Sequence, residues 1–352
     1  MQNVKILEIG TIEILKIFDK KKTSKTRQVL SEVIDNKMDS QKIHCLETLQ
    51  NFISETDNSE NAFYISDIPE VCKEFPCILG IDEAGRGPVL GPMVYGTTFC
   101  PINEQMILVK LDCADSKALT EEKRDVIFNN ICKESKSIGW AVELISPNYI
   151  CNSMLSRTKH SLNKVSMDSA VALIKAAANG GVNIEHIFVD TVGPPEKYQD
   201  YLKGLFPKFK ITVSKKADSI YPIVSAASIC AKVTRDHAIK VWKFPEGIDI
   251  TYKEFGSGYP ADPITKNFLK RHSDPVFGFP QLVRFSWSTA VNALEEEAYH
   301  VEWEQTEDSK KTPPANNTSI TSFFKITSKE KGVQKPVNEF FAQRCLSRNV
   351  EL

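Results

Sequence analysis

Cys77-Ile78-Leu79-Gly80-Ile81-Asp82 is a short, apolar run that breaks at an acid and is followed at once by Glu83-Ala84-Gly85-Arg86-Gly87. A run this short, with apolar residues at consecutive positions, reads as a strand buried on both faces. Such a strand needs a layer of structure on each side, and the rest of the chain supplies candidates. Further strands are predicted at 92–99, 137–144, 185–190 and 209–214. Between them lie a helix at 120–131, with Thr120 before the first-turn acids Glu121 and Glu122, and long helices at 161–178 and 222–241. Strands alternating with helices indicate an α/β domain, in which catalysis sits at the polar ends of the strands.

The 352 residues are 25% charged and 41% hydrophobic, enough for a sizeable core, which excludes a disulfide-stapled miniprotein and a wholly disordered chain. The nine cysteines include no C-x-x-C pair, so they read as reduced thiols rather than as a disulfide framework or a structural zinc site. No apolar run approaches the roughly 20 residues that span a bilayer, and the first residues lack a signal-peptide core. The expectation is a soluble, intracellular protein with no membrane partner. Four regions are expected: an N-terminal extension at 1–62, a catalytic domain at 63–250, a C-terminal helical part at 251–300 and a disordered, polar tail at 301–352. In the extension, Lys20-Lys21-Lys22-Thr23-Ser24-Lys25-Thr26-Arg27 fits a nuclear import signal or a basic patch on a surface helix. The formal net charge of -1 conceals an uneven distribution, because residues 203–243 carry eight Lys and one Arg against two Asp. That stripe suits a phosphate-facing surface, although a solvated face has the same composition.

Asp82 and Asp190 end two predicted core strands, and Asp218 follows a third and precedes a helix. Three strand-end acids can converge on one edge of a sheet. Crowded carboxylates repel one another unless a divalent cation supplies the opposite charge. Oxygen ligands suit magnesium or manganese, and two such ions about 3.5–4 Å apart activate water and stabilise the leaving oxygen in phosphodiester hydrolysis. Taken singly, each acid equally fits a helix cap or a solvent-facing position.

The segment Gly80-Ile81-Asp82-Glu83-Ala84-Gly85-Arg86-Gly87-Pro88-Val89-Leu90-Gly91-Pro92 closely resembles the first signature of the type 2 ribonucleases H. The resemblance continues in order. Phe188-Val189-Asp190-Thr191-Val192-Gly193 matches the strand bearing the family's third acid, and the run from Lys215-Lys216-Ala217-Asp218 to Thr234-Arg235-Asp236 matches the fourth-acid region. Gly256-Ser257-Gly258-Tyr259-Pro260, Phe277-Gly278-Phe279-Pro280 and Val283-Arg284-Phe285-Ser286-Trp287 look like the catalytic A subunits of the eukaryotic heterotrimers. The match spans about residues 70–290. It implies a ribonuclease H-like mixed sheet flanked by helices, with Asp82, Glu83, Asp190 and Asp218 binding two Mg2+ or Mn2+ ions. Asp236 is the alternative fourth acid, although its place in a helix suits an ion pair better. Adjacent side chains on a regular strand point to opposite faces, so Asp82 and Glu83 share a site only if the strand is already ending at Glu83, which the following Ala84-Gly85-Arg86-Gly87 favours.

The glycines here match neither a dinucleotide fingerprint nor a P-loop. They fit a tight turn, and they also let backbone approach a ligand closely. The resemblance implies that Gly85, Arg86 and Gly87 read a ribose 2′-hydroxyl, the group that separates RNA from DNA. It further implies that the Tyr259 ring stacks on the sugar after the ribonucleotide, against the plainer reading of a turn residue packed on the core. Lys117, Lys232 and Arg235 are candidates for phosphate contact or ordinary surface charges. The expected activity is an endonuclease that hydrolyses the RNA strand of RNA–DNA hybrids and cuts 5′ to ribonucleotides embedded in duplex DNA, leaving a 3′-hydroxyl. Another ribonuclease H-like nuclease of the junction-resolvase type, or a non-catalytic scaffold that binds nucleic acid, are the alternatives. The resemblance also implies a nuclear role in replication and ribonucleotide excision repair. It further implies that the C-terminal part serves junction recognition and subunit docking. Two accessory subunits would dock there, around residues 265–300, where apolar side chains such as Leu269, Leu282 and Leu294 could supply the contact.

The tail holds two segments of one spacing, Asn317-Thr318-Ser319-Ile320-Thr321-Ser322-Phe323-Phe324 and Gln334-Lys335-Pro336-Val337-Asn338-Glu339-Phe340-Phe341. Each has an amide residue, an aliphatic three positions later (Ile320, Val337), then paired aromatics (Phe323 and Phe324, Phe340 and Phe341). That pattern, with Gln334 heading the second copy, resembles the peptide by which replication and repair proteins bind the sliding clamp.

Overall fold

The computed structural model describes residues 42–113, 119–158 and 160–299. In chain order the elements begin with α1 (Leu46–Glu55), β1 (Ala62–Ile65), α2 (Glu70–Glu74), β2 (Cys77–Ala84), β3 (Met93–Pro101) and α3 (Met106–Lys110). Then come α4 (Glu121–Lys133), β4 (Gly139–Ile145), α5 (Pro147–Leu155), α6 (Leu162–Asn179), β5 (Ile184–Asp190), α7 (Pro195–Leu205) and β6 (Lys210–Ser214). The last are α8 (Ala217–Ile220), α9 (Pro222–Lys240), α10 (Tyr252–Phe255), α11 (Pro263–Arg271) and α12 (Ser288–Glu297). The hydroxyls of Thr120 and Ser161 cap α4 and α6, as their positions before acid-rich or apolar-periodic runs predict. No described helix is long and apolar enough to cross a membrane.

The strands form one mixed sheet in the order β1-β4-β3-β2-β5-β6. β2 is central, antiparallel to β3 and parallel to β5, and β5 is parallel to β6. Every residue of β2 except Glu83 is buried, as a strand covered on both faces requires. One face packs on α1, α4 and α9 through residues such as Ile78, Val94, Trp140 and Phe128. The other packs on α2, α6 and α7 through Leu79, Ile81, Leu173 and Leu202. A separate apolar cluster, including Phe255, Phe268, Leu282 and Val283, joins α10 to α12 to the segment that follows the Gly85-Arg86-Gly87 turn.

α9 lies unusually close to the sheet. A Cβ on Gly80 would sit 2.4 Å from the Ile223 carbonyl oxygen, and one on Gly96 would sit 2.6 Å from that of Ala227. Gly96 is the cross-strand partner of Asp82, so the missing side chain lets the helix reach the strand end where the acid stands. The helix contributes Ala226, Ala227, Ser228 and Ala231 there, all fully buried. Thr98 completes the seam by donating its hydroxyl to the Ile223 carbonyl at 2.7 Å.

Two expectations need correction. Part of the segment read as an N-terminal extension belongs to the fold: Leu49 and Ile53 of α1 are buried in the core, and β1 already begins at Ala62. Amphipathic packing of one helix face supplies that anchorage, which no chemical motif announces. Second, β2 does not end at Glu83. It runs to Ala84, with Glu83 paired to Tyr95 and Ala84 to Val94. The expected disordered tail at 301–352 lies outside the described residues.

The seam leads to a stability test. Gly96→Ala should cost about 1–3 kcal/mol, because the new methyl group meets backbone rather than a side chain that can swing away. Urea denaturation of the two proteins measures this.

Candidate active site

Asp82 stands near the end of β2, on the face covered by α9, and is 5% exposed. The Ser228 hydroxyl and the Glu83 backbone N–H, at 2.8 Å, both donate to its carboxylate. Asp190 is the last residue of the neighbouring parallel strand, and its Oδ1 accepts the Ala217 N–H at 2.8 Å. That bond ties the end of β5 to the start of α8. Asp218 is the second residue of α8 and is 2% exposed. The chain reaches it through Lys216, whose φ of 56° is in the left-handed region that non-glycine residues rarely adopt. This turn brings the acid back toward the sheet immediately after β6.

The carboxylates act on one another. Burial, then the charges of Asp190 and Asp218, push the Asp82 carboxyl up to about 7, against the hydrogen bonds it accepts. Burial, then Asp82 and Asp190, push Glu83 up to about 8, with Arg86 and Tyr95 opposing. Because β2 continues past Glu83, this side chain starts from the opposite face to Asp82 and is coupled to the cluster through the charges of Asp82 and Asp190. Its Oε2 is buried without a hydrogen-bond partner. An orphaned carboxylate oxygen beside mutually repelling, buried acids is the donor set that a hard divalent cation fits. Asp236 stands apart from this group: it pairs with Arg124 at 3.1 Å and with Arg235 at 3.2 Å.

Beside the acids runs the Gly85-Arg86-Gly87 turn, with Gly85 at φ 76°. The Arg86 guanidinium turns back onto α6, donating to the Ser166 hydroxyl at 2.7 Å and to Asn163. The turn's recognition capacity therefore lies in its backbone. Fully buried Arg284 donates to the carbonyls of Gly85 at 2.7 Å, Arg86 at 3.2 Å and Gly91 at 2.8 Å. Trp287 donates its indole N–H to the Gly87 carbonyl at 3.1 Å, and the Arg284 guanidinium lies over its ring. In a planar trans peptide the N–H points opposite to the C=O, so these bonds turn the N–H groups of Arg86 and Gly87 away from Arg284. Burial holds the Arg284 guanidinium down to about 9, still charged at neutral pH.

Tyr259 is 49% exposed, and a Cβ on Gly87 would lie 3.8 Å from its ring. The ring therefore borders the turn rather than the core. Its loop is fixed by the Gly258 carbonyl, which accepts the Val89 N–H at 2.7 Å, and by the Gly258 N–H, which donates to buried Thr265 at 2.9 Å. Arg235 is committed internally: it donates to Asp236 and to the Ser257 carbonyl and packs against Gly85 and Gly258. Lys232 is half-buried on α9, one turn after Ser228. Lys117 lies outside the described residues, as do the clamp-like residues Ile320, Phe323, Phe324, Gln334, Val337, Phe340 and Phe341.

A model of the family described as Ribonuclease HII matches residues 79–290, which include all four acids, the turn, Tyr259 and Arg284. The chain belongs to the ribonuclease HII family. The Ribonuclease H2 A subunit of Homo sapiens is 47% identical over 298 residues, covering 85% of this chain and 98% of that protein. Its namesake in Bos taurus is 51% identical over 270 residues, 77% of this chain and 89% of that one. The solved ribonuclease H2 from Pyrococcus horikoshii OT3 superposes with a TM-score of 0.53 at 35% identity, over 62% of this chain and 98% of that chain. The RNase HII of Archaeoglobus fulgidus, solved in a PCNA:RNase HII complex, gives 0.51 at 30%, over 66% and 99%. This chain is thus an endoribonuclease of the type 2 ribonuclease H class, on the branch of the eukaryotic catalytic A subunits.

Sequence reasoning places Arg284 and Trp287 within a motif but gives neither a role in this ribonuclease. An arginine between apolar residues is the available signal, since a buried guanidinium requires several acceptors. Sequence reasoning also misses Glu121, Asp125 and His237, the group of potential metal ligands whose donor atoms converge within 4.8 Å among the described residues. The protein already satisfies these groups. Gln50 donates its amide N–H to His237 Nδ1 at 2.8 Å, His237 Nε2 donates to Asp125 at 3.1 Å, and Glu121 pairs with Lys240. The network ties α1, α4 and α9 together and has no unmet need for a cation.

The raised carboxyls set a pH dependence. Folded Asp82 and Glu83 hold protons up to about 7 and about 8, whereas their ordinary values are 3.8 and 4.5. Between roughly pH 4 and pH 8, unfolding therefore releases protons, and raising the pH lowers stability. Denaturation of the metal-free ribonuclease at pH 5 and pH 8 should show the drop, and Asp82→Asn should reduce it. Equal stability of the wild type at both pH values contradicts the assigned crowding.

Proposed function

We propose that this ribonuclease hydrolyses the RNA strand of RNA–DNA hybrids and cuts 5′ to single ribonucleotides embedded in duplex DNA, leaving a 3′-hydroxyl. The observation that carries this reading is the acid cluster at the ends of β2 and β5, flanked by a turn with inward-facing carbonyls and by a half-exposed tyrosine. Asp82, Glu83, Asp190 and Asp218 are the residues that would hold two Mg2+ or Mn2+ ions, which when bound activate water and neutralise the leaving oxygen. The chain's own groups do the rest. Ser228 and the Glu83 N–H orient Asp82, and the Asp190 bond to Ala217 N–H fixes α8 and with it Asp218. The outward N–H groups of Arg86 and Gly87 meet the ribose and its phosphate, and the Tyr259 ring packs on the following deoxyribose. Lys117 and Lys232 contact phosphates. Arg235 acts instead by fixing the Tyr259 loop to the turn.

The assignment of roles is tested on two substrates. Asp190→Ala should reduce magnesium-dependent cleavage of both by several orders of magnitude. Tyr259→Ala should slow cutting at a single embedded ribonucleotide about 10-fold or more, in line with roughly 1–3 kcal/mol for a stacking contact. It should slow cutting of a continuous hybrid less, because a hybrid binds in many registers. Equal losses on both substrates would make Tyr259 structural or generally catalytic.

The name shared by the relatives, that of an A subunit, supports a place in a larger assembly. Two accessory subunits would dock around residues 265–300, although not through Leu269 and Leu282, which are buried within this chain. The partner of the archaeal neighbour, named in its complex as PCNA, supports a clamp role for the two tail segments. That combination suits nuclear replication and ribonucleotide excision repair. A peptide of residues 314–345 should bind the sliding clamp with micromolar-scale affinity, and replacing its four Phe by Ala should abolish binding. Calorimetry showing no heat with the unmodified peptide would remove the clamp from the reading.

A further inference from the structure

Behind Glu83, on the face of β2 opposite to Asp82, three buried polar atoms lack hydrogen-bond partners: Glu83 Oε2 and the hydroxyls of Tyr95 and Tyr198. They belong to one place. Tyr95 is the cross-strand partner of Glu83. Burial, then the charge of Glu83, pushes up the hydroxyls of both Tyr95 and Tyr198, and each is 1% exposed. The Tyr95 hydroxyl is near enough to Glu83 to favour its ionised form, and Ser166 is near enough to Tyr95 to do the same for the phenol, yet neither contact reaches full hydrogen-bond geometry.

Buried hydroxyls and carboxylates nearly always find partners, and three orphans coupled around one carboxylate are not independent defects. Each tyrosine lacks an acceptor, and the glutamate oxygen lacks a donor. The rings are held by the core packed on α6 and α7, so the hydroxyl positions are preset, whereas Glu83 has a flexible stem. Arg86 is fixed as well, by Ser166 and Asn163. Only the carboxylate can move to close the gap.

We propose that Tyr95 and Tyr198 are positioning residues for Glu83: their hydroxyls take one carboxylate oxygen and so present the other, around the strand end, to a divalent cation beside Asp82. This explains how a residue on the wrong face of an unbroken strand serves the same site as its neighbour. The two tyrosines select the one arrangement of Glu83 that reaches over the edge. The inference rests on the metal-binding reading of the four acids.

The test uses the metal-free full chain without substrate, titrated with Mn2+ in a calorimeter. Tyr95→Phe and Tyr198→Phe should each weaken Mn2+ binding, the pair together by about 10-fold, the range for groups that orient a metal ligand. In a Glu83→Gln background the same substitutions should cause no further loss. The melting temperature of the metal-free chain should hold or rise, because each substitution removes an unpartnered buried hydroxyl and keeps the ring. Wild-type Mn2+ affinity in the double variant overturns the positioning role while leaving the metal site intact. So does an equal loss in the Glu83→Gln background, which would mark the tyrosines as structural. Failure of the wild type to bind Mn2+, or binding that Asp82→Asn does not weaken, overturns the metal reading and this inference with it.

Discussion

The approach of α9 to the sheet at Gly80 and Gly96 sets the geometry on which the candidate active site depends. Both positions face the helix backbone at distances that exclude a methyl group. Because Gly96 lies opposite Asp82, the helix arrives beside the acid and supplies Ser228 to its carboxylate. The same placement decides where α8 must run, since it leads directly into α9, and so where Asp218 lies. Further along the helix, Arg235 reaches Gly85 and the Ser257 carbonyl, joining the turn to the Tyr259 loop. A helix a few ångströms further out would leave the acids, the turn and the tyrosine without a common frame.

The site stores unfavourable electrostatics that the remainder of the fold must offset. Two buried carboxyls are held far above their ordinary range, and Lys216 is strained to deliver a third acid. Such groups persist where surrounding structure overdetermines them. Here the surroundings are a central strand buried at every position but Glu83 and a helix with a nearly continuous buried face. Arg284 shows the complementary case, a fully buried cation stabilised by the backbone carbonyls of Gly85, Arg86 and Gly91. It converts the packing of the C-terminal helices into the orientation of a turn far away in sequence.

Much of this is legible in the chain. The strands predicted at 92–99, 137–144, 185–190 and 209–214 are found at Met93–Pro101, Gly139–Ile145, Ile184–Asp190 and Lys210–Ser214. The helix predicted at 222–241 is Pro222–Lys240. Apolar runs ending in acids and glycines carry that information locally. What escapes depends on contacts distant in sequence. Whether a strand stops at Glu83 is decided by pairing with Tyr95 and Val94, and β3 supplies both. The burial of α1 depends on its docking on α4 and α9, where Gln50 meets His237 and Asn129 accepts the Leu46 N–H. Arg284 acquires its role only when residues almost two hundred positions apart are brought together.

Among the described residues stand two acidic clusters of different character. At Glu121, Asp125 and His237 every ligand group already has a protein partner, whereas at Asp82, Glu83, Asp190 and Asp218 burial and repulsion leave an oxygen orphaned. On the proposed reading that difference favours the second cluster for a cation, and anomalous scattering from a crystal soaked in Mn2+ reads this directly. The expected result is anomalous density against Asp82 and Asp190, with the Glu83 carboxylate turned toward it. Density confined to Glu121, Asp125 and His237, with none beside Asp82, would contradict the account.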